Sequence, residues 1–146
     1  MTETPAPVRI LFVCTGNTCR SPMAAALFNA AGPVRARAES AGLAARDGEP
    51  MSSRAREVLA ELGIAAADFR SRRITDAAAT AADLIVGLTA AHCREIVRKF
   101  PQCADKTIPL AADGDVPDPF GGDAAVYRRC LEQMRPAVLR LAERFN

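Results

Sequence analysis

The sequence is poor in several residue types that mark particular classes of protein. Among its 146 residues there is no tryptophan, one tyrosine and one histidine. No apolar run reaches the roughly 18 residues that a membrane-spanning helix requires. The first ten residues, MTETPAPVRI, do not combine a basic segment with an apolar one as a secretory signal does. These absences predict a soluble, cytoplasmic protein.

Excess positive charge is also absent. Nineteen basic and seventeen acidic residues give a formal net charge of only +2 at pH 7. A nucleic-acid-binding domain usually has a pI above about 9 and clusters of Lys and Arg. We therefore expect neither nucleic acid nor a membrane surface as a partner.

The cysteines are odd in number and contain no C-x-x-C pair, which argues against both a disulfide scaffold and a structural zinc site. They are Cys14, Cys19, Cys93, Cys103 and Cys130. A reduced intracellular protein is the better interpretation. The acidic stretch DGD at 113–115 lacks the rest of a calcium-binding loop, so we expect no metal or other cofactor.

Short apolar runs alternate with helix-like segments along the chain. The strands are predicted at 8–13, 34–40, 83–88 and 106–110, and the helices at 21–31, 52–63, 75–82, 90–100 and 123–145. This alternation predicts an α/β fold: a single-domain, open, doubly wound, four-stranded parallel sheet with helices on both faces. Residues 1–7 are expected to be a flexible leader to a domain at 8–146, and the protein a monomer.

One segment, VCTGNTCRSP at 13–22, forms the turn from the first strand into the first helix. Ligands of open α/β sheets bind outside the carboxyl ends of the strands. Cys14 lies at the strand end and Arg20 at the helix start. The intervening backbone N–H groups can curl into a cup that binds a tetrahedral anion. The residues expected to form this cup are Thr15, Gly16, Asn17, Thr18, Cys19 and Arg20.

The side chains of this turn suit phosphate chemistry. Arg20 can bind two phosphate oxygens at once. Gly16 permits a positive φ or a close approach of the backbone, and Asn17 tolerates the left-handed region while its amide ties the loop. The positive field of the cup and a hydrogen bond from Ser21 favour the thiolate form of Cys14. These residues predict phosphoryl transfer through a phosphocysteine, without a metal.

The spacing Cys-x5-Arg-Ser resembles the active-site loop of the low-molecular-weight protein phosphatases. The similarity continues through SPMAAALF, SAG at 40–42, DLIVGLT and DPFGG at 118–122, and so covers nearly the whole chain. The resemblance implies that Cys14 is the nucleophile, Arg20 the group that binds the transition state, and Asp118 the general acid. A carboxyl group at the cavity mouth can protonate the leaving group and later deprotonate water.

The segments CTGNTCRSP and DPFGG are closest to the bacterial protein-arginine phosphatase branch of that family. The resemblance implies that Thr18 selects phosphoarginine on phosphorylated proteins. A tyrosine-directed phosphatase remains the alternative substrate class. Phe120 either walls the entrance or packs at its rim.

Two other functions remain open. Thioredoxin-coupled arsenate reductases share this fold and loop but need resolving cysteines near the end of the third strand. In this chain Thr89 lies in that region, whereas Cys93 lies in the next helix and Cys103 after it. A phosphate-binding module without catalysis would keep the cup but not both the thiol and the acid.

For the remaining side chains, the sequence predicts a redox pair, one surface position, one packing position and a solvent-exposed face. Cys14 and Cys19 share one loop, and a reversible disulfide between them would protect the nucleophile from over-oxidation; the alternative is that Cys19 is a small side chain turned into the core. His92 is expected on a helix surface, and Tyr127 is expected to pack against its neighbours. Basic side chains expected to form a solvated face are Arg70, Arg72 and Arg73.

Overall fold

The computed structural model describes residues 6–112 and 114–146. The strands are β1 (Val8–Cys14), β2 (Ala36–Gly42), β3 (Leu84–Gly87) and β4 (Thr107–Pro109). The helices are α1 (Arg20–Ala30), α2 (Ser53–Ala60), α3 (Asp76–Ala81), α4 (Ala90–Lys99) and α5 (Ala124–Glu143), with a 3-10 helix at Pro101–Lys106. Residues 1–5 of the predicted leader and Asp113 lie outside the described residues. Residues 6 and 7, the rest of the predicted leader, are exposed and have no regular secondary structure.

The four strands form one parallel sheet in the order β2-β1-β3-β4. The chain passes from β1 to β2 on one side and then crosses to β3 on the other side of β1. The carboxyl end of β1 is therefore the topological switch point, where open α/β sheets form a crevice. Cys14 ends this strand and pairs with Gly42 of β2. The predicted fold class is confirmed.

Helices cover both faces of the sheet because the side chains of β1 alternate between two cores. Ile10 and Phe12 belong to the core that includes residues of α1, α2 and α5, whereas Leu11 and Val13 belong to the core that includes residues of α3 and α4. Phe28 of α1 packs edge-on against Phe12, with ring centroids 6.0 Å apart. A strand buried on both faces is continuously apolar, which explains why the sequence of β1 shows no alternation.

Two local predictions were wrong. β2 continues through Ala41 and Gly42, which were expected to end it, because β1 pairs with it as far as Cys14. α2 ends at Ala60 rather than at residue 63. Leu62 was predicted to be helical, but it lies in the following turn and is 40% exposed.

α5 runs without interruption through Pro136, so the proline does not split it. Among the helices of the described residues, none combines the length and the apolar character needed to cross a membrane.

Candidate active site

The carboxyl end of β1 is held from two sides by backbone hydrogen bonds. Leu43 N–H donates to the Cys14 carbonyl at 2.9 Å, and Ala44 N–H donates to the Thr15 carbonyl at 2.9 Å. On the other side, Leu88 N–H donates to the Val13 carbonyl at 3.1 Å. The residues on either side of the cysteine are therefore fixed before the chain turns into the cup.

Asn17 fixes the shape of the cup. It is the one non-glycine residue with a positive φ, 56°, in the described part of the chain, and it is fully buried. Its Nδ2 donates to Ser21 Oγ and to Ser40 Oγ, each at 2.9 Å, and its Oδ1 accepts from Arg72 N–H at 2.9 Å. The amide therefore holds the left-handed turn on three sides, as the sequence predicts.

The two glycines near the cup act differently from the prediction. Gly16 does not have a positive φ, and a Cβ there would contact only Thr18 Oγ1, at 3.9 Å. The close approach occurs at Gly42, where a Cβ would lie 2.5 Å from the Thr15 carbonyl oxygen. The cup backbone thus passes directly over β2, and any side chain at Gly42 would displace it.

Ser21 and the start of α1 surround the Cys14 sulfur. Ser21 Oγ lies 2.9 Å from Cys14 Sγ, and the Ser21 backbone N–H donates to the same sulfur at 3.4 Å. Asn17 Nδ2 already donates to Ser21 Oγ, so the one hydroxyl hydrogen of Ser21 has two acceptors within reach, the Cys14 sulfur at 2.9 Å and the Ala41 carbonyl at 3.4 Å. The second contact to the sulfur, from the Ser21 backbone, comes from the first turn of α1, the positive end of that helix.

Arg20 joins the cup to the loop that carries Asp118. Its side chain is buried, its Nη1 donates to the Val116 carbonyl at 3.0 Å, and its Nη2 lies 3.7 Å from Asp118 Oδ2. A short turn shapes the acidic end: Asp118 Oδ1 accepts from Phe120 N–H at 3.1 Å. The Asp118 side chain is 54% exposed and open to solvent.

All predicted site residues except Ser21 line one cavity of about 200 Å³. Its lining consists of Cys14, Thr15, Gly16, Asn17, Thr18, Cys19, Arg20, Asp118 and Phe120. Cys14 is only 2% exposed because it lies at the base of the cavity, whereas Phe120 at the mouth is 78% exposed. The structure thus brings together the thiol, the guanidinium and the carboxyl group, although Asp118 is distant in the sequence.

Cys19 and Tyr127 join the far side of the cup to α2 and α5. Cys19 Sγ lies 3.2 Å from the Tyr127 hydroxyl, which also accepts from Ser52 Oγ at 3.2 Å. Burial raises the pKa of the Cys19 thiol and raises the pKa of Tyr127 to about 12, so both groups are neutral at neutral pH. Cys14 and Cys19 are both free thiols here. Ser52, the residue before α2, therefore bonds Tyr127 and makes no side-chain cap hydrogen bond to the helix.

His92 lies beside the cup, a position that its sequence context does not indicate. It was expected on a helix surface but is 6% exposed, and its Nε2 lies 3.0 Å from Thr15 Oγ1. Burial, with Arg20 as the next cause, lowers the pKa of His92 to about 4. A lone histidine in a helical segment gave no signal of this contact.

The prediction of a solvated arginine face is only partly correct. Besides its backbone bond to Asn17, Arg72 donates from Nε to the Ser40 carbonyl at 3.0 Å and from Nη2 to Glu39 at 2.8 Å. It supports the same part of β2 that holds the Asn17 amide.

The other cysteines do not reach the cavity. Cys103 is buried and donates to the Ala79 carbonyl at 3.6 Å, and Cys93 lies on α4 against Gly87. Neither lines the cavity with Cys14. In the described residues, no group of three or more His, Cys, Asp and Glu side chains is placed to bind a metal ion.

The fold and this cavity define a cysteine-dependent phosphatase. The family model "Low molecular weight phosphotyrosine protein phosphatase" matches residues 9–146, and the chain belongs to that family.

Relatives within the family differ in the substrate that their names state. The chain is 43% identical over 145 residues to a protein-arginine-phosphatase of Geobacillus stearothermophilus, covering 96% of this chain and 97% of the relative. It is 36% identical over 151 residues to a low molecular weight protein-tyrosine-phosphatase of Streptomyces coelicolor, covering 88% of each. The solved structure of the YwlE arginine phosphatase from Geobacillus stearothermophilus superimposes with a TM-score of 0.91, at 43% identity, covering 94% of this chain and 92% of that one.

Proposed function

We propose that the protein removes phosphoryl groups from phosphoarginine residues of phosphorylated proteins, through a phosphocysteine formed on Cys14. The supporting observation is that one cavity holds the Cys14 sulfur at its base, Arg20 at its side and Asp118 at its mouth. A tetrahedral phosphoryl group bound by the cup would place phosphorus above the sulfur, in line for attack.

The first step transfers the phosphoryl group to the enzyme. The Cys14 sulfur forms a bond to phosphorus as the bond from phosphorus to the substrate nitrogen breaks. Asp118, in its protonated form, supplies a proton to that nitrogen, so that neutral guanidine rather than its anion leaves. Backbone N–H groups of the cup and the Arg20 guanidinium stabilise the negative charge on the three equatorial oxygens.

The second step hydrolyses the phosphocysteine. The Asp118 carboxylate removes a proton from water, the water oxygen bonds to phosphorus, and the sulfur leaves as a thiolate. Asp118 suits both steps because its side chain faces solvent while its Oδ2 stays near Arg20. Free phosphate then leaves the cup, and both groups return to their starting forms.

Thr18 supports phosphoarginine as the substrate. It lines the cavity, and its Oγ1 is a polar group that can hydrogen-bond to a guanidinium or position a water molecule. The name of the Geobacillus relative states the same activity. Phosphotyrosine is the second candidate substrate, because the Streptomyces relative is named for it. Phe120, exposed beside the mouth, offers an aromatic wall to either substrate.

A side-by-side kinetic assay tests the substrate assignment. One protein carrying phosphoarginine and a matched protein carrying phosphotyrosine are each titrated, and kcat/KM is determined from released phosphate. We expect the higher kcat/KM on phosphoarginine. A higher value on phosphotyrosine would transfer the assignment to the second candidate, and no release from either would reject both.

Cys14 and Cys19 also form the proposed redox pair. Hydrogen peroxide would oxidise the Cys14 thiolate to a sulfenic acid: one peroxide oxygen with its hydrogen bonds to the sulfur, and the other leaves as hydroxide, which takes up a proton from solvent to give water. The Cys19 thiol would then attack that sulfur and release a second water, leaving a disulfide that a dithiol reduces. Peroxide should inactivate the wild type reversibly and Cys19→Ser irreversibly, and equal recovery of the two with dithiothreitol would reject the pair.

We further propose that the enzyme acts as a monomer in the cytoplasm. One chain supplies every residue that lines the cavity. Sedimentation at micromolar concentration should give the mass of one chain with full activity, and activity confined to a dimer would reject the monomer.

A further inference from the structure

The first turn of α4, residues 89–92, contacts both loops of the cavity. Ala90 N–H donates to Asp115 Oδ1 at 2.8 Å, three residues before Asp118. In the same turn, His92 Nε2 lies 3.0 Å from the hydroxyl of Thr15, the residue that follows the proposed nucleophile. One helical turn is therefore bonded to the cup and to the acid-bearing loop.

This turn is held firmly in place. Thr89 Oγ1 accepts from His92 N–H at 3.0 Å and caps the helix, and Leu88 N–H is bonded to the end of β1. The helix also lies tightly against β3, since a Cβ at Gly87 would come within 2.5 Å of Cys93 Sγ. The start of α4 can therefore act as a fixed support for two loops.

The His92 ring has a single polar contact, and it is to the cup. Its Nδ1 is the one buried side-chain nitrogen or oxygen without a hydrogen-bond partner in the described part of the chain. An unbonded buried N–H costs more than an unbonded ring nitrogen, so the neutral ring carries its hydrogen on Nε2. Nε2–H then donates to Thr15 Oγ1, and the Thr15 hydroxyl hydrogen is left for a ligand oxygen in the cavity.

The acid-bearing loop is attached through residues 115 and 116 rather than through Asp118 itself. Gln133 Nε2 donates to the Asp115 carbonyl at 3.2 Å, and Val116 N–H donates to the Leu88 carbonyl at 3.2 Å. The Asp118 carboxylate bonds only within its own turn and faces Arg20. The attachment at Asp115 therefore controls how far the carboxyl group lies from the sulfur.

We propose that the first turn of α4 sets the position of the general acid relative to the cup, with Asp115 and His92 as its two positioning residues. The proposal rests on the assignment of Asp118 as the acid under Proposed function. Asp115 acts through Asp118, and His92 acts through Thr15. An error of about 1 Å in either loop is enough to slow catalysis by up to about 100-fold.

The Asp115 contact is tested with two aryl phosphates whose leaving groups differ in acidity. Protonation by the acid matters more for phenyl phosphate than for p-nitrophenyl phosphate, because phenolate is the poorer leaving group. Asp115→Ala should lower kcat/KM about 10-fold more on phenyl phosphate than on p-nitrophenyl phosphate. Asp115→Asn, which keeps an oxygen for Ala90 N–H, should stay near the wild type. Equal losses on both substrates, or none, would overturn the role of Asp115.

The His92 contact is tested with orthovanadate, an oxyanion that has no leaving group. His92→Phe and Thr15→Val should each weaken vanadate inhibition about 5-fold, the value of one hydrogen bond, and the double variant should be no weaker than either. His92→Gln, whose amide can still donate to Thr15, should restore most of the affinity. Additive losses, or unchanged inhibition in folded variants, would overturn the role of His92.

Amide hydrogen exchange separates failure of this proposal from failure of the Asp118 assignment. Asp115→Ala should speed exchange at the Ala90 and Val116 amides, whereas Asp115→Asn should not. This outcome would support the attachment of the loop to α4 whatever the kinetics of Asp118→Asn. Normal kinetics in Asp118→Asn would reject only the assignment of Asp118 as the general acid. Unchanged exchange in both Asp115 variants would overturn the attachment.

Discussion

Arg20 Nη2 and Asp118 Oδ2 lie 3.7 Å apart across the mouth of the cavity, although the two residues are far apart in the sequence. The buried guanidinium also binds the carbonyl of Val116 on the acid-bearing loop at 3.0 Å. One side chain therefore belongs to the cup and holds the opposite loop. Loss of Arg20 should affect phosphate binding and acid placement together.

Replacing the nucleophile should separate binding from turnover. Cys14→Ser keeps the backbone of the cup and the contact with Ser21, so inorganic phosphate should still inhibit or bind with a similar affinity. Serine is a far weaker nucleophile at neutral pH, so turnover should fall to the background rate. Phosphate binding is measured by calorimetry and turnover by phosphate release. A variant with a near wild-type rate would remove Cys14 from the mechanism.

Replacing the acid should slow the chemistry without loosening the cup. Asp118→Asn cannot donate a proton, and we expect kcat to fall by about 10² to 10⁴. Asp123→Asn is a matched control, since Asp123 caps α5 with a side-chain oxygen that asparagine also supplies. A normal rate in Asp118→Asn would place the proton donor elsewhere.

Thr18→Ile should change the substrate preference. Isoleucine keeps the β-branch but removes the hydroxyl that a guanidinium or a positioned water can bond to. We expect kcat/KM on phosphoarginine to fall relative to that on phosphotyrosine, measured on the same protein pair as the wild type. Thr18→Ser, which keeps the hydroxyl, should retain the original preference. Equal losses on both substrates would contradict a selective role.

Asn17→Ala should destabilise the folded protein. It removes hydrogen bonds to Ser21, Ser40 and Arg72 and leaves alanine in the left-handed region. Three bonds at about 1 kcal/mol each, with a further 1 kcal/mol or so for the backbone, predict a loss of about 3 to 4 kcal/mol in the free energy of unfolding. Urea denaturation measures this loss, and a change below about 1 kcal/mol would contradict the account.

Lowering the pH should reduce the free energy of unfolding, because His92 is neutral in the folded protein. Its pKa is about 4 in the folded protein and 6.5 ordinarily, because burial and Arg20 oppose its protonation while Asp115 and Asp118 favour it only weakly. The unfolded chain therefore takes up a proton first as the pH falls. The stability contributed by neutral His92 is fully present above pH 6.5 and is lost as the pH falls towards 4.

The measurement is the free energy of unfolding as a function of pH, for the wild type and for His92→Gln. The wild type should lose more stability than the variant between pH 6.5 and 4. Parallel curves would show that His92 is not the group responsible.

The sequence predicts the fold and the cup because both depend on local order. The run from Ile10 to Cys14 is continuously apolar and buried, as a strand with both faces covered must be, and the turn after it contains the residues expected to bind an anion. The resemblance, together with the position of Asp118 after the carboxyl end of a predicted strand, indicates its role, since the pattern Asp-Pro-x-Gly-Gly by itself indicates a turn. Its placement beside Arg20 depends on contacts with Val116 and Leu88, which no local pattern encodes.

The residues missed from the sequence are those whose roles depend on pairing between distant segments. Gly42 matters because the cup backbone crosses it, and His92 matters because α4 begins next to the end of β1. Ser52 has the sequence pattern of a helix cap, yet it bonds the Tyr127 hydroxyl from the distant α5. The local sequence at each of these positions gives no sign of its partner, because only the order of the strands in the sheet places the two segments next to each other.

The most direct test of the central claim is to trap the phosphoryl group during turnover. The enzyme is mixed with phosphoarginine protein and quenched with acid within milliseconds, and its peptides are located by mass spectrometry. We predict a phosphoryl group on Cys14 in the wild type. With p-nitrophenyl phosphate as the donor, Asp118→Asn should accumulate more of this phosphocysteine than the wild type, because its hydrolysis then lacks the general base. Turnover with no phosphorylated Cys14 at any quench time would contradict a phosphocysteine mechanism.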